Sequence, residues 1–533
     1  MKTKSMIQAL LIWSAAFALA ACGCNCAGSR PVTAPGPAVD LQEVSAAQLR
    51  QGYEAGRWTV VDVVRGYLNR IEALDRSGPK LNAILAVNPD ALRIAAELDA
   101  ERKAGRVRGP LHGIPVILKD NIDSLDPMPT TAGATALRAS YAKRDSRVAA
   151  RLRQAGAVIL AKANLSEWAN FRASYSSSGW SGVGGQTRNP YVLDRNPCGS
   201  SSGSGVAVAA SLCALAIGTE TNGSIVCPST NNGIVGVKPT VGLVSRSGII
   251  PISFSQDTAG PMARTVADAA LCLGVLAGVD PDDAKTLAAG GRALSDYTPF
   301  LKADGLKGKR IGLMKNLMGY HYRVDALTEA AVAFLRGQGA EVVEVDGPKE
   351  GPIEGDSFTV MLYEFKDGLN RYFAGLGDGA MVRDLAGLIE FNKKDPVELR
   401  WFDQKLLEQA QEKGGLEAAE YKKALEAMLK AARAEGIDRL LDEHKLDALM
   451  APTGAPAWKT DPVDGDHFTG SSSSLAAIAG YPSVTVPMGF VEALPVNVSF
   501  FGRAWSEPLL LEIAFAYEQG TMHRRPPRYL VSD

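Results

Sequence analysis

Residues 198–225 read CGSSSGSGVAVAASLCALAIGTETNGSI, and this stretch decides the architecture of the chain. An apolar run, 206–217, lies between two segments rich in glycine, serine, threonine and asparagine. A glycine- and serine-rich segment on its own is typical of a flexible linker. Here the apolar run must be buried, so the small residues beside it indicate backbone that packs against a core and approaches a ligand closely.

Outward from this stretch, apolar runs of strand length alternate with segments of helical periodicity. The strand-like runs lie at 113–118, 157–161, 310–314, 340–345, 446–450 and 483–486. The helical segments include 146–155, 324–335, 418–441 and 509–518. Such alternation favours an α/β fold. We therefore predict one large domain, residues 40–533, in which helices cover a central, mostly buried mixed sheet.

Composition narrows the possible partners. The 533 residues include 57 Lys and Arg against 58 Asp and Glu, so no basic surface indicates nucleic acid as a partner. Four cysteines lie in the body of the chain, where disulfides and buried free thiols are both possible: Cys198, Cys213, Cys227 and Cys272. Neither the cysteines nor the five histidines have metal-ligand spacing. We predict no metal and no cofactor.

The N-terminus has the pattern of an export signal. Lys2 and Lys4 precede an apolar stretch, 6–19, which is too short to span a bilayer. The stretch ends in Leu-Ala-Ala-Cys at 19–22, which resembles the lipobox of bacterial lipoproteins. This pattern predicts a signal peptide over 1–21, lipidation of Cys22, and a Pro/Gly/Ala tether over 22–39. It places the protein on the periplasmic face of a bacterial membrane, by analogy the outer one.

Three residues form a candidate nucleophilic centre: Ser200 and Ser224 in the small-residue segments, and Lys119 at the end of an apolar strand. A serine hydroxyl attacks only when a base removes its proton, and lysine is a base only when it is neutral. Burial lowers the pKa of lysine from its ordinary value of about 10.4. The second serine can relay the proton, and the turn 222–224 can aim backbone N–H groups at a developing oxyanion.

These blocks resemble the amidase signature family, in which a Ser-Ser-Gly-rich element, a later Gly-Ser nucleophile and a strand-terminal lysine occur in this arrangement. The blocks at 233–240, 256–264 and 479–483 are similar too, so the resemblance covers roughly residues 40 to 525. It implies the amidase signature fold and hydrolysis of an amide through an acyl-enzyme intermediate.

The resemblance also implies a role for each matching residue. Ser224 would be the nucleophile, Ser200 the relay serine on a cis peptide bond, and Lys119 the base. The oxyanion hole would consist of backbone amides from Thr221, Asn222, Gly223 and Ser224 itself.

Departures from the family pattern bear on the substrate. Val226 stands where most members have Arg, and Ser202 where most have Gly. With Cys198 and the run 165–172, these changes resemble the bacterial peptide amidases, which remove the C-terminal amide of peptides as ammonia. Loss of an Arg removes a clamp for carboxylates. We predict a peptide amide or small amide as substrate and a pocket that includes Trp168, Asn170, Phe171 and Val226, although core packing is the commoner role for aromatic residues such as Trp168 and Phe171.

Other interpretations remain open at this stage. Within the same family, hydrolysis of a fatty-acid or aryl amide fits the same three residues. Residues 199–203 also match the G-x-S-x-G elbow of a Ser-His-Asp esterase with Ser201 as nucleophile, but Pro197 argues against the strand that the elbow requires. Lys119 could also be a structural lysine paired with Asp120 or Asp257.

Overall fold

The computed structural model describes residues 39–376 and 380–532, and its largest element is a mixed sheet of eleven strands. In chain order the strands are β1 (Ile84–Val87), β2 (Pro115–Lys119), β3 (Val158–Ala163), β4 (Trp180–Ser181), β5 (Gly185–Gln186), β6 (Leu215–Glu220), β7 (Val235–Lys238), β8 (Thr258–Ala263), β9 (Arg310–Met314), β10 (Glu341–Val345), β11 (Ala448–Pro452), β12 (Ser483–Val491) and β13 (Leu494–Phe501). The sheet order is β1-β3-β2-β6-β8-β7-β12-β13-β11-β9-β10, and β4 pairs with β5 in a separate short hairpin.

The sheet is mixed because two groups of parallel strands are joined by antiparallel ones. Strand β2 is parallel to β3 and β6, and β9 is parallel to β10 and β11. Strands β6, β8, β7, β12, β13 and β11 follow one another with antiparallel pairing. Every residue of β2, β3, β6, β7 and β8 is buried, as the continuous apolar runs predict for strands covered on both faces.

Helices cover the sheet. They are α1 (Ala46–Glu54), α2 (Val60–Arg70), α3 (Ala91–Lys103), α4 (Arg147–Gln154), α5 (Ser202–Ala209), α6 (Val226–Asn231), α7 (Val266–Leu276), α8 (Tyr322–Gly337), α9 (Glu350–Gly375), α10 (Leu385–Asn392), α11 (Lys405–Glu412), α12 (Ala419–Ala432), α13 (Asp438–Glu443), α14 (Ser474–Ala479) and α15 (Glu507–Thr521). Polar caps begin several of them: Ser45 and Thr59 form capping boxes, and Ser146 accepts from the Ala149 amide. The prediction of a single large α/β domain is confirmed.

The opening stretch 198–225 supplies one turn, one helix and one central strand. Residues up to 201 form a turn, α5 follows, and the apolar run then continues into β6. The run is buried throughout because α5 packs against β6 and β2. The fold therefore places Ser200 before α5 and Ser224 after β6, at the same edge of the sheet.

Two features differ from the sequence prediction. The segment 418–441 is not one helix, because α12 and α13 are separated at Gly436, which has non-helical dihedral angles. The 26-residue α9, which the periodicity analysis did not predict, is the longest helix of the described residues. The predicted signal peptide and tether, including Cys22, lie outside the described residues except for Val39.

Candidate active site

Lys119 ends β2, and its side chain is completely buried. Its Nζ atom lies 2.7 Å from Ser200 Oγ, 2.9 Å from Thr219 Oγ1 and 3.2 Å from the Thr219 carbonyl oxygen. A neutral amine has two N–H donors and one lone pair. The two Thr219 oxygens can accept both donors, which leaves the lone pair for the Ser200 hydroxyl. The contacts therefore suit a neutral lysine that accepts a proton from Ser200.

The electrostatic surroundings act in the same direction. Burial lowers the pKa of Lys119 to about 7, although the charges of Asp257 and Glu220 oppose this shift. Asp120, one of the counter-ions considered from the sequence, instead lies 3.6 Å from Lys162. Among the described residues no carboxylate forms an ion pair with Lys119. Lys119 is thus not a paired structural lysine.

Ser200 occupies a tightly packed turn. It is fully buried, and the peptide bond that joins it to Gly199 is cis. A Cβ atom at Gly199 would lie 2.1 Å from Ser166 Oγ, so no larger residue fits there. The Ser200 carbonyl accepts a hydrogen bond from the Ser166 amide at 3.1 Å. These contacts fix the turn against the segment that follows β3.

Ser224 lies in the turn between β6 and α6 and borders a cavity of about 590 Å³. Gly223 has φ of +82°, a left-handed conformation that favours glycine. The Ser224 carbonyl accepts from the Ser201 amide at 3.2 Å, which links the two serine turns directly. The amides of Asn222, Gly223 and Ser224 donate to no acceptor among the described residues, so they can bind an oxyanion.

Glu220 supports the turn from beneath. It is buried, and its Oε2 atom accepts from the amides of Ile225 and Val226 at 2.7 and 3.1 Å. These are orphan donors at the start of α6, which a carboxylate satisfies well. The backbone that carries Ser224 is consequently held at the residues that directly follow it.

The cavity has two walls formed by segments distant in sequence. One wall comes from α9 and carries Glu350, Glu354 and Met361. The other comes from the loop 458–474 and includes Trp458, Asp466 and Phe468. The two aromatic rings of this loop pack edge to face, with centroids 5.5 Å apart. Sequence reasoning missed both walls, since no local pattern marks these residues as neighbours of Ser224.

Only part of the predicted pocket borders this cavity. Asn170 and Phe171 line it, but Trp168 and Val226 do not. Trp168 is a core residue that packs edge to face on Phe373, with ring centroids 6.1 Å apart. Val226 is 1% exposed within the first turn of α6, so its side chain is part of the packing beneath the turn. These two positions are not pocket walls.

Asn170 reaches the cavity through an unusual backbone segment. Trp168, Ala169 and Asn170 have consecutive positive φ angles of 49°, 54° and 72°, a conformation that costs energy for residues other than glycine. The Asn170 Nδ2 atom donates to Ser178 Oγ at 2.9 Å, and the Ser178 hydroxyl in turn donates to Asp466. The loop 458–474 therefore helps to fix the segment that follows β3.

A disulfide joins the two serine turns. Cys198 and Cys227 are bonded and both border the cavity, whereas Cys213 and Cys272 are buried free thiols. Within the described residues, no group of three His, Cys, Asp or Glu side chains could hold a metal ion.

The esterase alternative does not fit the contacts of Ser201. Its hydroxyl donates to the Thr219 carbonyl and accepts from the Thr219 amide, and it is completely buried. The residues before it, 193–199, form no strand. Ser201 therefore lacks both the strand and the exposed hydroxyl of a nucleophile elbow.

Comparison with known proteins decides the family. The sequence profile described as Amidase matches residues 62–511, which is most of the chain. The chain belongs to the amidase family. It is 39% identical over 502 residues to a protein of Arabidopsis thaliana named as an amidase, covering 92% of each chain. It is 37% identical to one subunit of the glutamyl-tRNA(Gln) amidotransferase of Symbiobacterium thermophilum, covering 90% of this chain and 97% of the other.

Solved structures agree with this assignment. The crystal structure of native peptide amidase from Stenotrophomonas maltophilia is 53% identical, with a TM-score of 0.88, and the match covers 92% of this chain and 99% of that one. The chain is accordingly an amide-hydrolysing enzyme of the amidase signature fold, as the sequence predicted.

The predicted membrane location is wrong. Among the relatives that match over about nine-tenths of the chain are plant and fungal amidases, whereas the lipobox interpretation required a protein of a bacterial membrane. Three predictions are therefore wrong: the lipidation of Cys22, the membrane as partner and the periplasmic outer-membrane location. The predicted location rested on the two lysines, the apolar stretch 6–19 and the motif at 19–22, all of which lie outside the described residues. No helix in the described part of the chain is long and apolar enough to cross a bilayer.

Proposed function

We propose that this amidase hydrolyses the C-terminal carboxamide of peptides to the free acid and ammonia, with Ser224, Ser200 and Lys119 as its catalytic residues. The observation that carries the proposal is the buried 2.7 Å contact between Lys119 Nζ and Ser200 Oγ. The turn of Ser200 is joined to that of Ser224 by the hydrogen bond from the Ser201 amide to the Ser224 carbonyl, and Ser224 borders a cavity. The similarity to the Stenotrophomonas maltophilia peptide amidase supports the choice of substrate.

Acylation begins with proton transfer. Neutral Lys119 accepts the proton of Ser200, which accepts that of Ser224 as the Ser224 Oγ attacks the carbonyl carbon of the carboxamide. The carbonyl π electrons move to oxygen and form a tetrahedral oxyanion. The amides of 222–224 donate to this oxygen, and one such donor is worth about 10²–10³ in kcat.

Breakdown of the intermediate reverses the proton path. The proton returns through Ser200 to the amide nitrogen, the C–N bond breaks, and ammonia leaves with both electrons of that bond. Water then attacks the acyl ester, giving its proton to the same relay and displacing Ser224 Oγ. That proton returns through the relay to Ser224 Oγ as the ester C–O bond breaks. In both half-reactions the relay groups act as bases while the tetrahedral intermediate forms and as acids while it collapses.

The size of the leaving group explains the preference for a terminal amide. Ammonia needs almost no space, whereas an internal peptide bond would require room for a second chain on the leaving-group side. Gly199 and the Cys198–Cys227 disulfide border the same cavity as Ser224, and we propose that they close its leaving-group side. Exclusion of a second chain therefore sets the specificity, while the wider cavity accommodates the acyl side.

The test combines one variant with product analysis. Wild-type enzyme should convert a peptide amide to a product heavier by the amide-to-acid change, with one ammonia released and internal bonds intact. Ser224→Ala should keep its fold by circular dichroism, yet lose both hydrolysis and labelling by a serine-directed phosphonate. Internal fragments, or fatty or aryl amides as the only substrates turned over, would refute the substrate; labelling at Ser201 would refute the nucleophile.

A further inference from the structure

Asp257 lies beside the oxyanion turn because of the register of two central strands. β6 and β8 are antiparallel, and the last pair of the ladder is Glu220 with Thr258. The residue that follows Glu220 is Thr221, the first of the turn, and the residue that precedes Thr258 is Asp257. The sheet thus brings the two together although they are 36 positions apart in sequence.

The contacts of Asp257 join two separate segments. Its Oδ1 atom accepts from Thr221 Oγ1 at 2.6 Å, and its Oδ2 atom accepts from the amides of Ile252 and Ser253 at 2.8 and 2.9 Å. The neighbouring Gln256 donates from Nε2 to the Thr221 carbonyl at 3.3 Å. Thr221 is therefore held at its hydroxyl and at its carbonyl by adjacent residues.

The segment 251–257 is itself anchored, so it can act as a rigid support. Glu364 of α9 is completely buried and accepts from the hydroxyls of Ser253 and Ser255 and from the Ser255 amide. Ser357, nearer the start of α9, donates to Gln256 Oε1 at 2.7 Å. Displacement of Thr221 would require this network to move with it.

Thr221 and Ile252 also separate two cavities. Both residues border the cavity of Ser224 and a second one of about 770 Å³. The second cavity is lined by Asp257 and by Thr219, whose oxygens contact Lys119. Three residues border both cavities, and Asp257 binds two of them, Thr221 and Ile252; the third is Ala169. Asp257 therefore helps to hold the wall between the reacting serine and the side of the base.

Charge provides a second link to the reaction. Burial raises the pKa of Asp257 to about 6, while the Thr221 hydroxyl, the two backbone amides and the positive charge of Arg246 oppose the shift. Above that pH Asp257 carries a negative charge. Asp257 and Glu220 are the two groups whose charge raises the pKa of Lys119 against its burial.

We propose that Asp257 is a positioning residue for the amidase reaction: it fixes Thr221, and with it the oxyanion turn. This inference rests on the proposed roles of Ser224 and Lys119. It gives the block 256–264 a role in the reaction in addition to its packing in the sheet.

Asp257→Asn is the informative variant because it keeps the shape and removes the charge. The amide can accept from a backbone N–H but places an NH₂ group where one acceptor oxygen stood. We expect kcat to fall about 10- to 100-fold, as small misplacements of catalytic groups do, with KM changed by less than about threefold. The acidic limb of kcat/KM should move to lower pH, because the lost anion had raised the pKa of Lys119.

Two further variants separate positioning from folding. Thr221→Val removes the hydroxyl and should also lower kcat. The double variant, Thr221→Val with Asp257→Asn, should have a kcat no lower than that of the less active single variant. Asp268→Asn is the matched control: Asp268 is also buried and accepts from a backbone amide, that of Ala46, but lines neither cavity. The Asp268→Asn variant should have a lower free energy of unfolding than the wild type, but the acidic limb of its kcat/KM should stay at the same pH.

The results are decisive in both directions. A kcat loss with a shifted limb and non-additive coupling to Thr221 supports the inference. An unchanged kcat, or a loss that is additive with Thr221→Val and leaves the limb in place, overturns it. If Asp257→Asn does not fold, the Thr221→Val variant decides by itself, and a wild-type kcat in that variant overturns the inference. Retained activity in Ser224→Ala would instead show that the proposed function has failed.

Discussion

At the residue scale, Lys119 can be compared with two other lysines that the fold buries completely among the described residues, Lys162 and Lys238. Burial lowers the pKa of all three. Lys162 lies near Asp120, and Lys238 donates to a backbone carbonyl. Lys119 alone of the three contacts a serine hydroxyl. The serine contact, more than burial, distinguishes Lys119, the proposed base, from the other two lysines.

This comparison predicts the pH dependence of hydrolysis. Protonated Lys119 cannot accept a proton, so kcat/KM should fall about tenfold per unit as pH drops below the pKa of Lys119, about 7. Lys119→Ala should lose about 10²–10⁴ of the rate. Lys162→Gln, the matched buried lysine, should lower stability yet keep the same limb. Initial rates measured on both sides of that pKa, at constant ionic strength so that screening does not vary, provide the test. A limb that moved only in Lys162→Gln would contradict the assignment.

At the scale of elements, the disulfide connects the turn before α5 to the first turn of α6. Cys198 and Cys227 are 29 positions apart, and Trp458 packs against them. We expect the Cys198→Ala/Cys227→Ala variant to lose about 3 kcal/mol of unfolding free energy, because closure of such a loop restricts the unfolded chain. Its kcat should fall as well, since both ends border the cavity. Urea denaturation with and without dithiothreitol tests this. Reductant should lower the midpoint of the wild type and leave that of the double variant unchanged.

Helix α9 contributes two carboxylates one turn apart, Glu350 and Glu354, to the cavity wall. No Lys, Arg or His of the described residues lines this cavity. Burial and then the charge of Glu354 raise the pKa of Glu350 to about 7. Above that pH Glu350 is ionised, and a wall of one charge sign should then favour a substrate that carries the opposite charge.

A matched pair of substrates tests this wall. A peptide amide that ends in arginine should have a kcat/KM about three- to tenfold above that of its neutral isostere, citrulline, and salt should reduce the ratio. The ratio should fall to about one in Glu350→Gln/Glu354→Gln. Glu390→Gln, an exposed glutamate that pairs with Lys393, is the control and should keep the wild-type ratio. A ratio that survives the double substitution would exclude the acidic wall as its cause.

At the scale of the whole molecule, Arg524 connects the two ends of the described chain. Its guanidinium pairs with Glu43 at 2.7 Å and donates to the carbonyls of Ala209 and Gly233. These carbonyls lie at the end of α5 and just past the end of α6, so the C-terminal segment supports both serine-bearing regions from behind.

Arg524→Ala should therefore lower the unfolding free energy by about 2–4 kcal/mol, because it leaves a partly buried carboxylate and two carbonyls without their donor. Arg439→Ala, which breaks an exposed pair with Glu443 on α13, should cost less than about 1 kcal/mol. Urea unfolding followed by circular dichroism compares the two. Equal costs would show that Arg524 contributes no more than a surface charge.

The sequence by itself determined the family, the α/β class and the candidate trio. Lys119, Ser200 and Ser224 lie in local patterns, an apolar strand and two small-residue turns, whose spacing is readable in one dimension. The same reasoning gave a wrong location, because it inferred a bacterial membrane from the short motif at 19–22.

Only the tertiary structure decided what surrounds the trio. It excluded Trp168 and Val226 from the cavity, selected Cys198 and Cys227 from four cysteines, and brought α9 and the loop 458–474 against Ser224. It also placed the Asp257 carboxylate within hydrogen-bond distance of the Thr221 hydroxyl. The reason is physical: burial, pairing and pKa depend on distances between segments that are far apart in sequence. Those distances follow from the order and register of the sheet, which no local pattern contains.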